Sequence, residues 1–136
     1  MTDADLVQKR LALIETYLAE LATLARPERI AEDVREERFV EHTLQLAIQA
    51  AIDVASHLVS DERLGEPATN QELFALLARR GTLEGELARR LGRAAGFRNL
   101  LVHGYAAVDL ELVRDVVEHH LGDLVAFVAA VRAHGS

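Results

Sequence analysis

Arg98, His103 and Tyr105 fall within eight residues, in the run Phe97-Arg98-Asn99-Leu100-Leu101-Val102-His103-Gly104-Tyr105. A guanidinium grips planar anions through paired N–H groups. An imidazole moves protons near neutral pH, and a phenol adds a third reactive group. The run lies where a helical pattern meets glycine, and little else in the chain offers comparable chemistry.

The spacing limits what one helix can do with these groups. At about 100° per residue, Arg98 and Tyr105 share a face while His103 lies roughly 140° from Arg98. Two routes bring them together. Gly104 can take the left-handed position that ends a helix, leaving His103 as the last helical residue and Tyr105 just beyond it. Alternatively, a second copy related by a two-fold axis places Arg98 beside the other subunit's histidine.

The elements that must position this run read as helices. Val7, Leu11, Ile14, Leu18 and Leu21 form one apolar stripe over residues 4 to about 25, with Thr2 or Asp3 as its cap. Pro27 marks a break. A second helical pattern runs from Glu28 to about Val59 through Ile30, Val34, Leu44, Ile48, Ile52 and Ala55, with a bend or short break between Asp33 and Phe39. Its half from Leu44 to Val59 is apolar enough to lie centrally. Ser60 to Thr69 is a loop, after which Thr69-Asn70-Gln71-Glu72 reads as a reciprocal capping box. That helix stops at Gly81, and Thr82 starts the next, with Leu83, Leu87 and Leu91 on one face. Gly92 and Gly96 weaken it or admit a close neighbour. Asp109 caps a last helix with the stripe Val113, Val116, Val117, Leu121, Leu124, Phe127 and Val131. The expectation is one all-α domain over 1–136, an antiparallel bundle of about five helices.

Composition agrees and excludes several functions. Half of the residues are hydrophobic but only 4% are aromatic, which suits helices better than sheets. Without cysteine there are no disulfides, thiolate metal sites or cysteine nucleophiles. No basic flank precedes an apolar run as in a signal peptide, and no apolar run is long enough to span a bilayer. These readings predict a soluble, cytoplasmic protein with no membrane association. The formal net charge of −7 argues against non-specific DNA coating. Between residues 79 and 98, however, Arg79, Arg80, Arg89, Arg90, Arg93 and Arg98 face only Glu84 and Glu86. This basic island adjoins the reactive run.

Arg98-x4-His103-x-Tyr105 resembles the R-x4-6-H signature of HEPN domains, and the tyrosine two places after the histidine resembles the HepT toxin subgroup. Leu46 to His57, the loop into Glu72-Leu73-Phe74, and a final helix after Asp109 are similar to that family as well. The resemblance covers nearly all the chain and is least distinctive over the first 25 residues. It implies a metal-independent endoribonuclease with no cofactor, acting as a homodimer whose motifs face each other across an RNA-admitting cleft. In that reading Arg98 holds the scissile phosphate, and His103 takes the 2′-hydroxyl proton or protonates the leaving oxygen. Asn99 bonds the phosphate or orients His103, and Arg89 and Arg93 lie on the RNA path. The partner implied is an MntA-like nucleotidyltransferase antitoxin, which would add AMP to Tyr105 and so repel RNA from the Arg98 field.

Plainer readings stand beside these. Arg98 can pair with an acid on a neighbouring helix, and His103 can bond the carbonyls at its helix terminus. Glu86 has the right spacing for ion pairs with Arg89 and Arg90. His119 and His120 point about 100° apart and do not suit one metal ion. Asp53 and His57, at i and i+4, suit a buried polar pair, and Tyr17 suits the edge of the core. The competing function is a non-catalytic HEPN module that grips RNA, a nucleotide or a partner without cutting.

Overall fold

Every residue of the first stripe is buried: Val7, Leu11, Ile14, Leu18 and Leu21 all face inward from α1, Thr2–Leu24. The computed structural model describes residues 2–103 and 108–134, with side chains from residue 4 onward. The proposed caps at Thr2 and Asp3 therefore lie outside the described side chains. After α1, Pro27–Arg29 forms a 3-10 turn rather than the start of a long helix. The next helix, α2, begins only at Val34 and runs to Asp61. Asp33 supplies the reason, since its carboxylate accepts the Arg35 amide at 2.9 Å and caps α2. The expected bend thus falls at its N-terminal limit, and Val34, read as a core position, is a solvated first-turn residue. The middle of α2 is central as expected, with Leu44, Ala47, Ile48, Ala51, Ile52, Val54 and Ala55 buried.

Helix α3, Asn70–Arg80, opens on Thr69, whose Oγ1 accepts the Glu72 amide at 3.3 Å. The reciprocal half of the box is displaced by one residue: Glu72 Oε2 accepts from the amide of Ala68, at 2.8 Å, not from Thr69. Gly81 ends the helix at φ 92°, a left-handed conformation that favours glycine. Helix α4, Gly85–His103, starts three residues later than Thr82, which is itself buried in the turn. Gln71 of α3 lies against Gly92 and Gly96, so these glycines admit a close neighbour: a Cβ on Gly96 would stand 3.2 Å from Gln71 Nε2.

The expected last helix is two helices. Asp109 caps α5, Leu110–His119, by accepting the Glu111 and Leu112 amides, and the chain then breaks at His120 before α6, Leu121–His134. The break lets the two halves of one sequence stripe face different neighbours. Val113 and Val117 serve a helix packed on α2 and the 3-10 turn, while Leu124, Phe127 and Val131 serve one packed on α1, α2 and α4. The result is an all-α bundle of six helices among the described residues, with no strand among them. One buried cluster draws on all six, and Tyr17 packs at its edge.

Ion pairs tie the ends of the bundle. Arg132 on α6 holds Glu15 on α1 through two bonds of 2.7 and 2.8 Å. Arg10 and Gln49 take the two oxygens of Asp53, so this carboxylate joins α1 to α2. At the far end of α2, Glu62 meets both Arg80 (3.4 Å) and His134 (2.9 Å).

Candidate active site

Helix α4, Gly85–His103, carries Phe97 to His103 without interruption. The roughly 140° between Arg98 and His103 therefore holds, and one straight helix does not bring the two groups together. His103 is the last described residue of α4 and is exposed. Gly104 and Tyr105, on which the glycine break and the modification site rest, lie outside the described residues.

Arg98 follows Leu91 and Ala95, both buried, on the inward stripe of α4, and its side chain is half-buried. NH1 donates to Asn99 Oδ1 at 3.2 Å, while Nε is buried without a partner. Asn99 thus engages the guanidinium rather than the imidazole. An acid on a neighbouring helix does not pair with Arg98 among the described residues, so the plain structural reading of this arginine finds no partner there.

The basic island separates into compensated and open positions. Arg89 is bonded to Glu86 and holds that carboxyl below its ordinary range. Arg90 bonds Asp123 at 2.8 Å and approaches Glu86 at 3.6 Å, which fastens α6 to α4. Arg93 is exposed and has no ion pair among the described residues. Of the two RNA-path candidates, Arg93 retains the freer charge and Arg89 is already neutralised by its neighbour.

A groove of about 320 Å³ runs beside Arg93 and Phe97, floored by Leu44 and Ile48 of α2 and Leu124 of α6. At its rim, Leu100 is 54% and Leu112 39% exposed. Exposed leucines next to the reactive run form an apolar face that water disfavours. His120, read beside His119 only as unsuited to sharing one metal ion, lies on this groove and bonds Asp115 at 3.0 Å.

Sequence reasoning also passed over Glu41. It lies one turn before Leu44 on α2, and its Oε2 is buried without a partner. Burial, together with the Glu37 charge and hydrogen bond one turn away, pushes its carboxyl from 4.5 up to about 7, against the pull of Arg38. The folded chain holds this proton where the unfolded chain has lost it, so folding weakens as pH rises from about 4.5 through about 7. Glu41→Gln is accordingly expected to leave Tm unchanged at pH 4 and raise it at pH 8. The gain is of order 1 kcal/mol once solvent screening of this partly solvated group is allowed for. A thermal melt series across that range checks it, and an equal gain at both pH values would refute the assignment.

The fold has close relatives among solved toxin–antitoxin structures. The tri-AMPylated HEPN toxin of Shewanella oneidensis, solved in complex with its MNT antitoxin, aligns with a TM-score of 0.87 and 28% identity over 95% of this chain and 98% of its own. A toxin–antitoxin complex solved with AMP-PNP gives 0.88 and 28%, with the same coverage. In sequence, the chain is 36% identical to the mRNA nuclease HepT of Shewanella oneidensis over 90 residues, 66% of this chain and 68% of that protein. It is 31% identical to the tRNA nuclease HepT of Aphanizomenon flos-aquae over 134 residues, 95% of this chain and 89% of that protein. The family model described as Ribonuclease HepT-like matches residues 9–131, and the chain belongs to that family.

Proposed function

We propose that the chain is the toxin of a toxin–antitoxin pair, an endoribonuclease that cuts RNA without a metal at a cleft between two copies of itself. The observation that carries this reading is the layout of α4: an arginine and an exposed histidine on one unbroken helix, too far apart in angle to meet within one copy. A two-fold axis near the end of α4 supplies what a single helix lacks. The exposed Leu100 and Leu112 give that axis an apolar surface to bury.

In the assembled cleft Arg98 holds the scissile phosphate and stabilises charge growing on its oxygens. His103 of one copy accepts the proton of the ribose 2′-hydroxyl as its oxygen attacks phosphorus. The bond to the 5′-oxygen breaks, and that oxygen takes its proton from water. The products are a 2′,3′-cyclic phosphate and a free 5′-hydroxyl, so the reaction requires RNA. Arg93 extends the positive path away from Arg98, and Asn99 steadies the guanidinium between encounters.

The partner is a nucleotidyltransferase antitoxin of the MNT type, which silences the toxin by adding AMP to Tyr105. Phosphate at that position would meet Arg98 in place of RNA. Incubating the purified protein with RNA in EDTA tests the enzymatic half, and cyclic phosphate ends are the expected product. Saturable RNA binding with no product would make the chain a non-catalytic module. Co-expression with the nucleotidyltransferase tests the other half. The peptide carrying Tyr105 is expected to gain one or more AMP masses as cleavage is lost. An inactive complex with an unmodified peptide would mean that the antitoxin acts by occlusion.

A further inference from the structure

Two buried polar atoms on neighbouring helices lack partners, an acceptor at Glu41 Oε2 and a donor at Arg98 Nε. Their placement along the helices is what joins them. Glu62, just past the end of α2, meets Arg80 at the end of α3, and α4 starts five residues later. Helix α4 therefore begins beside the end of α2 and runs back along it. Leu44 and Ile48 of α2 accordingly line one groove with Ala94, Phe97 and Leu100 of α4. Glu41 shares the stripe of Leu44 and Ile48 and lies one turn nearer the start of α2, at the level of the last turns of α4. Arg98 continues the buried stripe of Leu91 and Ala95 into that same region.

We infer that Glu41 is a positioning residue for Arg98, its Oε2 accepting from Arg98 Nε when the terminal guanidinium nitrogens turn from Asn99 onto a phosphate. A guanidinium that holds phosphate end-on through NH1 and NH2 leaves Nε–H pointing elsewhere, and a buried donor left without an acceptor is costly. Among the described residues two buried carboxylate oxygens lack a hydrogen-bond partner, Glu41 Oε2 and Glu62 Oε1, and Glu62 is already held by Arg80 and His134 at the far end of α2. In the resting conformer Arg98 is turned to Asn99, and Glu41 has Glu37 and Arg38 as its charged neighbours. Its carboxyl, raised to about 7 in that state, gives its proton to solvent when the guanidinium arrives. The bond fixes the direction of the terminal nitrogens, which a flexible arginine side chain does not do alone. Only the identity of the phosphate as a scissile RNA phosphate rests on the ribonuclease reading.

Glu41→Met removes the acceptor at similar volume and abolishes a costly buried charge, so the variant folds at least as well as wild type at pH 8. Its kcat for RNA cleavage is expected to fall about 10–100-fold, as small misplacements of a positioning group do. Glu41→Gln, whose amide oxygen still accepts, recovers part of that loss. In ¹⁵N-labelled protein, inorganic phosphate is expected to slow exchange of the Arg98 Nε–H proton in wild type and to leave it fast in Glu41→Met. Wild-type cleavage by Glu41→Met, equal losses in the Met and Gln variants, or phosphate protection that is absent in wild type or the same in both proteins would each overturn the inference. A wild type that does not cut RNA would count against the ribonuclease reading alone, because the Arg98 resonance still decides the role of Glu41.

Discussion

Alanine at His103 is expected to lower RNA cleavage about 10²–10⁴-fold while leaving the fold intact. The size follows from removing a general acid or base from the reacting atoms. The intact fold follows from position: His103 is exposed at the end of the described part of α4, and no side-chain hydrogen bond or ion pair among the described residues involves it. Arg98→Ala is expected to cost a comparable factor, and Arg98→Lys most of it. Lysine keeps the charge but loses the planar fork that matches a phosphate, so the two substitutions report on geometry rather than charge. Cleavage rates under single-turnover conditions, with circular dichroism as the control for folding, measure both. A well-folded double variant that still cuts RNA would remove the catalytic assignment.

Phe127→Ala is expected to be the most damaging change far from the site. Phe127 on α6 is fully buried, and its ring meets Phe74 of α3 edge-on with centroids 5.8 Å apart at 81°. Cutting a buried phenylalanine to alanine costs about 3–5 kcal/mol, through lost burial and the cavity left behind. In a chain of this size Tm should then fall by roughly 10 °C or more. Urea titration of the variant checks the magnitude. A loss below about 1 kcal/mol would mean that α3 and α6 repack without this ring pair.

Much of this architecture was legible in the sequence because local chemistry and tertiary packing agree there. The α1 stripe, the Thr69 cap, the Gly81 stop and the Asp109 cap each follow from one residue type doing its usual work. The break at His120 was not legible. The stripe from Val113 to Val131 keeps helical phase across it, so periodicity alone reports one helix where the chain turns between two partners. The start of α2 was misplaced for a related reason: Ile30 is buried from a turn, and burial in a turn looks like helical phase when read as a string.

The site divides the same way. Arg98, Asn99 and His103 stand out as candidates because their types and order resemble a known motif, and the continuous α4 keeps the angular separation counted from the sequence. The roles of the island arginines were not readable, because Asp123, which fastens Arg90, is thirty-three positions away in sequence. Arg89 was readable, since Glu86 lies one turn before it. Glu41 was invisible for a simpler reason. A glutamate on a helix is ordinarily solvated, and only the folded structure shows that this one has lost its water on one oxygen.

Two inactive variants mixed together test the composite cleft most directly. Arg98→Ala and His103→Ala proteins, each silent alone, are unfolded and refolded together so that mixed pairs form. If Arg98 of one copy works with His103 of the other, each mixed pair holds one intact combination, and the mixture recovers about a quarter of wild-type cleavage. If the mixed pairs form and the mixture remains as silent as its components, the site is not shared between two copies.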